Sequence, residues 1–396
     1  MHLYLILFVI LACVGVSFLR NPLWRVPGPF LARFTDLWYL SNVSRGDFHV
    51  ENRRLHFKYG PIVRYGPNRY SFNHPDAIKT IYGPGAGLAK SAWYDTWSHP
   101  KQWTLFADRS IRRHAENKRA YQSAYSMSTL VQYESYVDDC ADLLVRHLEE
   151  RSGGEPVDMS HWLQCFAFDV IGKVTYAERL GFLDHMSDVG GVMEALDNHL
   201  VYATLVGIYS YLHPYLVPIR NFLAGAKGAG RHYIVDFTER SMAAHDASAE
   251  KGEIAGTESE SMLSKFAAKN SASPDTFTGF HVLAGCVSNM VAGSDTTSLS
   301  ISAIVYYLLK DEKRLAKLRD EIADFQGRGQ LSAVPVFQEA QQMPYLQAVI
   351  KEAMRMHPAA GLPMERVVPE GGMDICGQFF PEGVSLTVLS CLRWDS

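Results

Sequence analysis

An acid and three hydroxyls interrupt the most apolar stretch of this chain. Ser273-Pro274-Asp275 offers a cap, a first-turn proline and an early acid, and apolar residues then run to about Lys310. Those signals predict a single helix about 50 Å long at the usual 1.5 Å rise. In its middle stand Ala292-Gly293-Ser294-Asp295-Thr296-Thr297. Polar groups inside an apolar helix are costly unless they are hydrogen-bonded or line a site. The residues three, four and seven positions from Thr296 include Asn289, Ala292, Gly293, Ser300 and Ala303. The helical repeat therefore puts a stripe of small side chains on one face. Such a stripe lets a flat ligand approach closely, and tight helix–helix packing uses small residues in the same way. Gly293 and the back-bonding hydroxyls are expected to loosen the local hydrogen-bond ladder.

The 396 residues are 47% hydrophobic and 20% charged, enough for a large core. No Pro/Ser/Gly-rich linker divides them, which favours one large domain. A net charge of −4 without a long basic run argues against nucleic acid as a partner. Cys13, Cys140, Cys165, Cys286, Cys376 and Cys391 form no C-x-x-C pair. Neither a zinc site nor a secreted disulfide framework is indicated.

Residues 1–20 read as a membrane anchor. Met1 to Leu19 contain no Asp, Glu, Lys or Arg and would reach about 28 Å as a helix, close to the ~30 Å bilayer core. Arg20 and Arg25 follow, which by the positive-inside rule keeps the globular part on the cytosolic side. Residues 21–29 are a Pro-rich hinge in which Pro27-Gly28-Pro29 breaks the helix.

Further along, Tyr59 to Phe72 reads as two short strands around a Gly-Pro turn, and His74-Pro75-Asp76 opens a helix. Helical patterns cover Ile111 to Arg151, Trp162 to Tyr176 and Val192 to Met242, with Ala243 to Ser261 expected as a surface loop. Asp311 to Phe325 and Met343 to His357 are two more helices, and Gly361 to Val388 is strand-and-turn material. The fold class expected is mainly α with a small β-sheet. On the Met343–His357 helix Glu352 and Arg355 stand at i and i+3, a common pairing that carries little meaning alone.

In sequence order, Ala292 to Thr297, Glu352-Ala353-Met354-Arg355 with Pro358, and Glu365-Arg366-Val367 resemble the cytochrome P-450 superfamily of haem-thiolate monooxygenases. The apolar start, the Pro-Gly-Pro hinge and the early strand pair match its microsomal members. The segment from His114 through Lys118 and Arg119 to Ser128 looks like fungal members near the pisatin demethylases. The resemblance implies a haem b cofactor and an endoplasmic reticulum membrane location with the catalytic domain in the cytosol. It also implies an NADPH-dependent reductase, dioxygen and a small, mostly apolar substrate, in fungal secondary metabolism.

Carried over position by position, Asp295 and Thr296 would relay protons during dioxygen activation, and Ala292 and Gly293 would lie against the haem. Arg366 would bind a haem propionate. His114 and Lys118 occupy the Trp and Arg positions of the family's W-x-x-x-R, with Arg119 beside them as a second cation. Glu352 and Arg355 would be structural. No cysteine has the setting of the family's F-x-x-G-x-x-x-C-x-G loop, so no metal ligand is assigned and residues 30–396 read as an incomplete, C-terminally truncated cytochrome P-450 domain. A catalytically inactive member and a membrane-tethered helical binding protein stay open as alternatives. Gly83 to Ser91 mimics a phosphate loop, but Pro84 and Ala89 replace its glycines, and a plain turn is expected there.

Overall fold

The computed structural model describes residues 23–223, 230–251 and 260–389. The segment read as an anchor lies outside the described residues. The strap that follows it is docked: the Arg64 amide donates to Pro27 O at 2.8 Å, and a Cβ on Gly28 would fall 2.1 Å from Arg64 O. Only glycine fits that approach.

Helices α1 (Leu37–Ser44) and α2 (Phe48–Tyr59) lead into strands β1 (Ile62–Gly66) and β2 (Arg69–Phe72). Helix α3 (Pro75–Tyr82) starts where the His74 ring accepts from the Asp76 amide at 3.2 Å. Strand β3 (Ala89–Lys90), a 3-10 turn at Ala92–Trp97 and α4 (Ile111–Tyr121) follow. The helical body is α5 (Glu134–Glu150), α6 (Met159–Tyr176), α7 (Val192–Val206), α8 (His213–Leu223), α9 (Arg231–Glu250) and α10 (Met262–Ala272). It continues as α11 (Gly279–Gly293), α12 (Asp295–Leu309), α13 (Glu312–Gly327) and α14 (Pro344–Met356). Strands β4 (Arg366–Val367), β5 (Met373–Ile375), β6 (Gln378–Phe380) and β7 (Ser385–Val388) complete the described chain. The main sheet runs β1-β2-β7-β4-β3, parallel only between β2 and β7, and β5-β6 is a separate hairpin. The mainly helical expectation with a small sheet holds.

Two sequence expectations are corrected. The single helix from Ser273 is two helices. Ser273 to Phe277 is a turn, with the Phe277 amide on Ser273 O at 2.9 Å, because Phe277 is buried against Tyr121 and Phe266. The helix starts at Gly279, where Thr278 and the His281 ring cap each other. The expected loop at Ala243 is helical to Glu250, because His245 is buried and bonds the Ser261 hydroxyl at 3.1 Å.

A buried carboxylate anchors α6, the helix that packs on α12. Asp169 is fully buried and accepts from the amides of Leu180, Gly181, Phe182 and Leu183 at 2.8, 2.9, 3.3 and 2.7 Å. Burial pushes its pKa up against the pull of those four amides. Around it, Cys140, Cys165, Phe168, Phe182 and Leu183 form part of the main core. A second core, with Tyr70, Phe72, Phe380 and Leu386, lies against the sheet.

Residues 189–220 are long and apolar enough by composition to cross a membrane. They are kinked at Gly190 and Tyr209, and α7 buries Val192, Leu196 and Ala203 in the core. Val201, Tyr211, Leu212, Tyr215 and Ile219 of the same stretch are exposed.

Candidate functional site

The break between α11 and α12 falls on the motif that dominates the sequence. Ser294, at φ −77° and ψ −68°, stays in the right-handed helical region but belongs to neither helix. Four hydroxyls between Ser294 and Ser300 bond back to the chain. Ser294 donates to Met290 O at 2.9 Å, Thr296 to Ala292 O at 2.6 Å, Ser298 to Asp295 O at 3.0 Å and Ser300 to Thr296 O at 2.7 Å. Such bonds compete with the backbone ladder and bend helices. The loosened ladder expected from the sequence is present.

The small-residue stripe is divided differently from the sequence expectation. Ala292, Thr296 and Thr297 are exposed. Gly293 is not on that open face: a Cβ there would meet Ile171 of α6 at 2.9 Å, so its missing side chain serves helix packing. Asn289 is buried, its amide donating to Thr175 Oγ1 at 3.1 Å while its carbonyl accepts from Tyr125 Oη at 2.5 Å. Ala303 is buried as well. What remains open is the short strip of Ala292 and Thr296, flanked by Asp295. The Asp295 carboxylate accepts from Gln164 Nε2 at 2.8 Å. Burial raises its pKa, which Gln164 partly offsets and the charge of Asp197 on α7 augments. A carboxyl that holds its proton above the ordinary range suits proton transfer.

A second constellation gathers at the sheet edge. Lys90 and Arg366 are direct partners across the β3–β4 pair. Like charges opposite each other destabilise a ladder unless an anion lies between them. Arg366 donates to Tyr94 Oη at 3.0 Å and Met364 O at 3.2 Å, with the Tyr82 ring 5.2 Å away. Lys90 donates to Leu105 O at 2.9 Å and Phe106 O at 2.6 Å. Burial, and then the charge of Arg366, bring the Lys90 pKa down to about 8. His114 on α4 is held below its usual value by burial first, then by Lys90, with Lys118 and Arg366 adding to it. Lys90, Lys118 and Arg366 thus all lie within electrostatic reach of His114. Asp108, the one acid acting on His114, is already held by Arg113 through two bonds of 2.8 Å. The neighbouring Glu365 is buried on the other face of β4, accepting from Ser91 Oγ at 2.7 Å and Tyr65 Oη at 3.0 Å and pairing with Arg69. The cluster is left with excess positive charge, and carboxylates fit it.

Arg119 stands apart from that cluster, exposed, with its Nε donating to Ala115 O at 3.3 Å. Glu352 and Arg355 form a two-bond pair at 2.6 and 2.7 Å on the exposed side of α14. Lys90, Tyr94 and Gln164 escaped the sequence reading, because only cross-strand register and helix packing bring them here. Among the described cysteines, Cys140, Cys165 and Cys286 are buried with thiols pushed up to about 12, and Cys376 is exposed in the β5–β6 turn. A separate cavity of about 470 Å³, with Phe48, His49, Tyr307 and His357 in its wall, contains none of these site residues.

A mainly helical body with a broken acid-alcohol helix and a cationic sheet edge agrees with the class of protein that the sequence resembles. The profile of the cytochrome P450 family matches residues 27–392, and the chain belongs to that family. It is a cytochrome P450 monooxygenase, which replaces the helical-binding-protein alternative. Pisatin demethylase of Fusarium vanettenii is 35% identical over 375 residues, covering 93% of this chain and 70% of the relative. Cytochrome P450 monooxygenase gsfF of Penicillium aethiopicum is 34% identical, covering 92% of this chain and 73% of the relative. Cytochrome P450 monooxygenase pkfB of Emericella nidulans is 34% identical, covering 98% and 76%.

Proposed function

We propose that this monooxygenase binds haem b with its propionates on Lys90, Arg366, His114 and Lys118 and one face against Ala292 and Thr296. It would oxidise a small organic substrate in fungal secondary metabolism. The observation that carries the reading is the Lys90–Arg366 cross-strand pair, two cations whose one nearby acid among the described residues, Asp108, is already held by Arg113. Bound haem supplies the redox centre at which dioxygen is activated with electrons from a reductase.

The chain's own residues then do three things. Arg366 and Lys90 fix the carboxylates of the cofactor, Arg366 by its rigid fork and Lys90 as a point charge. Arg366 is itself aimed by Tyr94 and Met364 O. Ala292 leaves room for a flat ring because it ends at Cβ. Thr296 and Asp295 move protons: the Thr296 hydroxyl can release Ala292 O to donate outward, and the raised carboxyl of Asp295 can resupply it.

The apolar residues 1–19 and the exposed Trp24, Phe30, Leu31, Phe34 and Leu37 support a membrane-bound enzyme of the endoplasmic reticulum, with flotation on lipid vesicles as its test. For the activity, full-length protein supplied with haem, NADPH and a fungal reductase is expected to turn over an organic substrate to an oxygenated product. Haem uptake without substrate-dependent NADPH consumption would overturn it.

A further inference from the structure

A second cationic group, distant in sequence from the residues above, has no acid acting on it among the described residues. Arg231 opens α9, and its guanidinium makes one long hydrogen bond, to Trp97 O at 3.5 Å. Arg220 on α8 lies beside it: its Nη2 would be 2.5 Å from a Cβ on Gly230. Arg220 otherwise donates to Asn198 O at 3.0 Å and covers the Tyr202 ring. His199 of α7 is 2% exposed and makes no hydrogen bond among the described residues, its ring standing 6.2 Å from that of Trp97. The indole N–H of Trp97 is buried and without a partner.

The charges support this geometry. Desolvation alone lowers Arg231 to about 10, and burial lowers Arg220 too. His199 is driven to about 3 by burial, then by Arg231, Arg220 and His213, and is therefore a neutral donor. No carboxylate acts on any of the three among the described residues. Asp95, the nearest acid by its effect on His213, is tied to Arg109 at 2.8 Å. A half-buried guanidinium without a counter-ion is desolvated with nothing to compensate it. An anion supplied by a ligand removes that penalty and takes up the orphan Trp97 N–H.

Beside this group runs a wall of rings. Trp97 contacts Trp93 at 5.0 Å and Phe106 at 5.2 Å, Phe106 contacts Tyr94 at 5.2 Å, and Tyr94 holds Arg366. The wall connects the unbalanced arginines to the proposed cofactor edge.

We infer that Arg231, Arg220, His199 and the Trp97 indole form a carboxylate subsite, and that the substrate is an aromatic organic acid lying along the Trp97–Phe106–Tyr94 wall. The assignment of this ligand as substrate rests on the monooxygenase reading; the binding itself does not.

The test is calorimetric titration of full-length protein with 2-naphthoate and with its methyl ester. The acid is expected to bind at least about tenfold more tightly, the worth of one charge-assisted pair. Arg231→Gln should erase that preference and Arg231→Lys should keep part of it. Trp97→Phe should weaken the acid more than the ester, with circular dichroism confirming the fold of each variant. Equal binding of acid and ester, or a preference that survives Arg231→Gln, overturns the inference. Inorganic phosphate displacing the acid at comparable concentration overturns it too, since the site would then be a generic anion site. Haem uptake measured on the same samples separates the two readings. Its failure removes the proposed haem-binding reading and leaves the acid preference standing, whereas loss of the preference leaves haem uptake untouched.

Discussion

Thr296 is the residue at which the structure and the chemistry meet most closely. Its side chain is exposed on the open strip of α12, yet its hydroxyl is held by Ala292 O at 2.6 Å. Replacing it with alanine removes a back-bond that bends the helix, so fold and haem uptake should be unaffected. The proton path should not survive. Thr296→Ala is expected to divert most reducing equivalents to hydrogen peroxide and lower the product formed per NADPH, as loss of a positioned proton donor typically slows the proton-dependent step by about 10²–10⁴. Unchanged coupling would remove Thr296 from the mechanism. Asp295 was legible in the sequence for a physical reason: an acid inside an apolar run must have a partner. Gln164, which is that partner, was not legible, because it sits on another helix and nothing in its own neighbourhood marks it. Gly293 shows a related limit. A glycine in a helix signals that something approaches closely, but the sequence does not say whether that is a cofactor or Ile171.

At the level of elements, the strand carrying Arg366 is held from behind. Glu365 is 1% exposed and pairs with Arg69, whose guanidinium also reaches Asp36 at 3.1 Å and Ile208 O at 3.1 Å. One guanidinium thus joins the segment before α1, the 3-10 turn after α7 and β4. Glu365→Ala leaves Arg69 with only Asp36 as counter-ion in a largely buried place. Breaking a buried pair by removing one member costs about 3–5 kcal/mol, and because Asp36 remains, about 3 is expected from urea unfolding at pH 7. A change below about 1 kcal/mol would mean the network does not hold the strand. The sequence showed the Glu-Arg-Val strand, the early hairpin and most helices through caps, prolines and periodicity. It did not show the β3–β4 register, a two-residue pairing between segments far apart in the chain. Lys90 was missed with it. The extra start assigned at Ser273 failed because buried Phe277 pins a turn there, a tertiary contact overriding a good local cap.

For the molecule as a whole, buried neutral histidines set the acid limit of stability. Burial lowers His56 to about 4 and His199 to about 3, against about 6.5 in an unfolded chain. Between those values the unfolded state binds more protons, so stability falls as pH drops below about 6.5 and the loss is complete only below the folded pKa. For His56 the full loss is about 3 kcal/mol. Asp36 and Asp295, whose carboxyls burial raises, act in the opposite sense, from the ordinary carboxylate range upward. Between pH 7.5 and pH 5 the melting temperature should therefore fall. His56→Gln, which keeps bonding capacity toward Ser71 and Gly60, should fall less. A melting temperature independent of pH across that window would contradict the burial of these rings.

The central claim is that this chain holds haem through Lys90 and Arg366 as partners across one strand pair. Absorbance titration of full-length protein with haem tests it most directly, with Arg119→Gln as a control outside the cluster. The account predicts that Arg366→Gln and Lys90→Gln each weaken haem binding by about tenfold or more while Arg119→Gln leaves it unchanged. Haem binding that is indifferent to Arg366 and Lys90, or that fails as badly in Arg119→Gln, would contradict it.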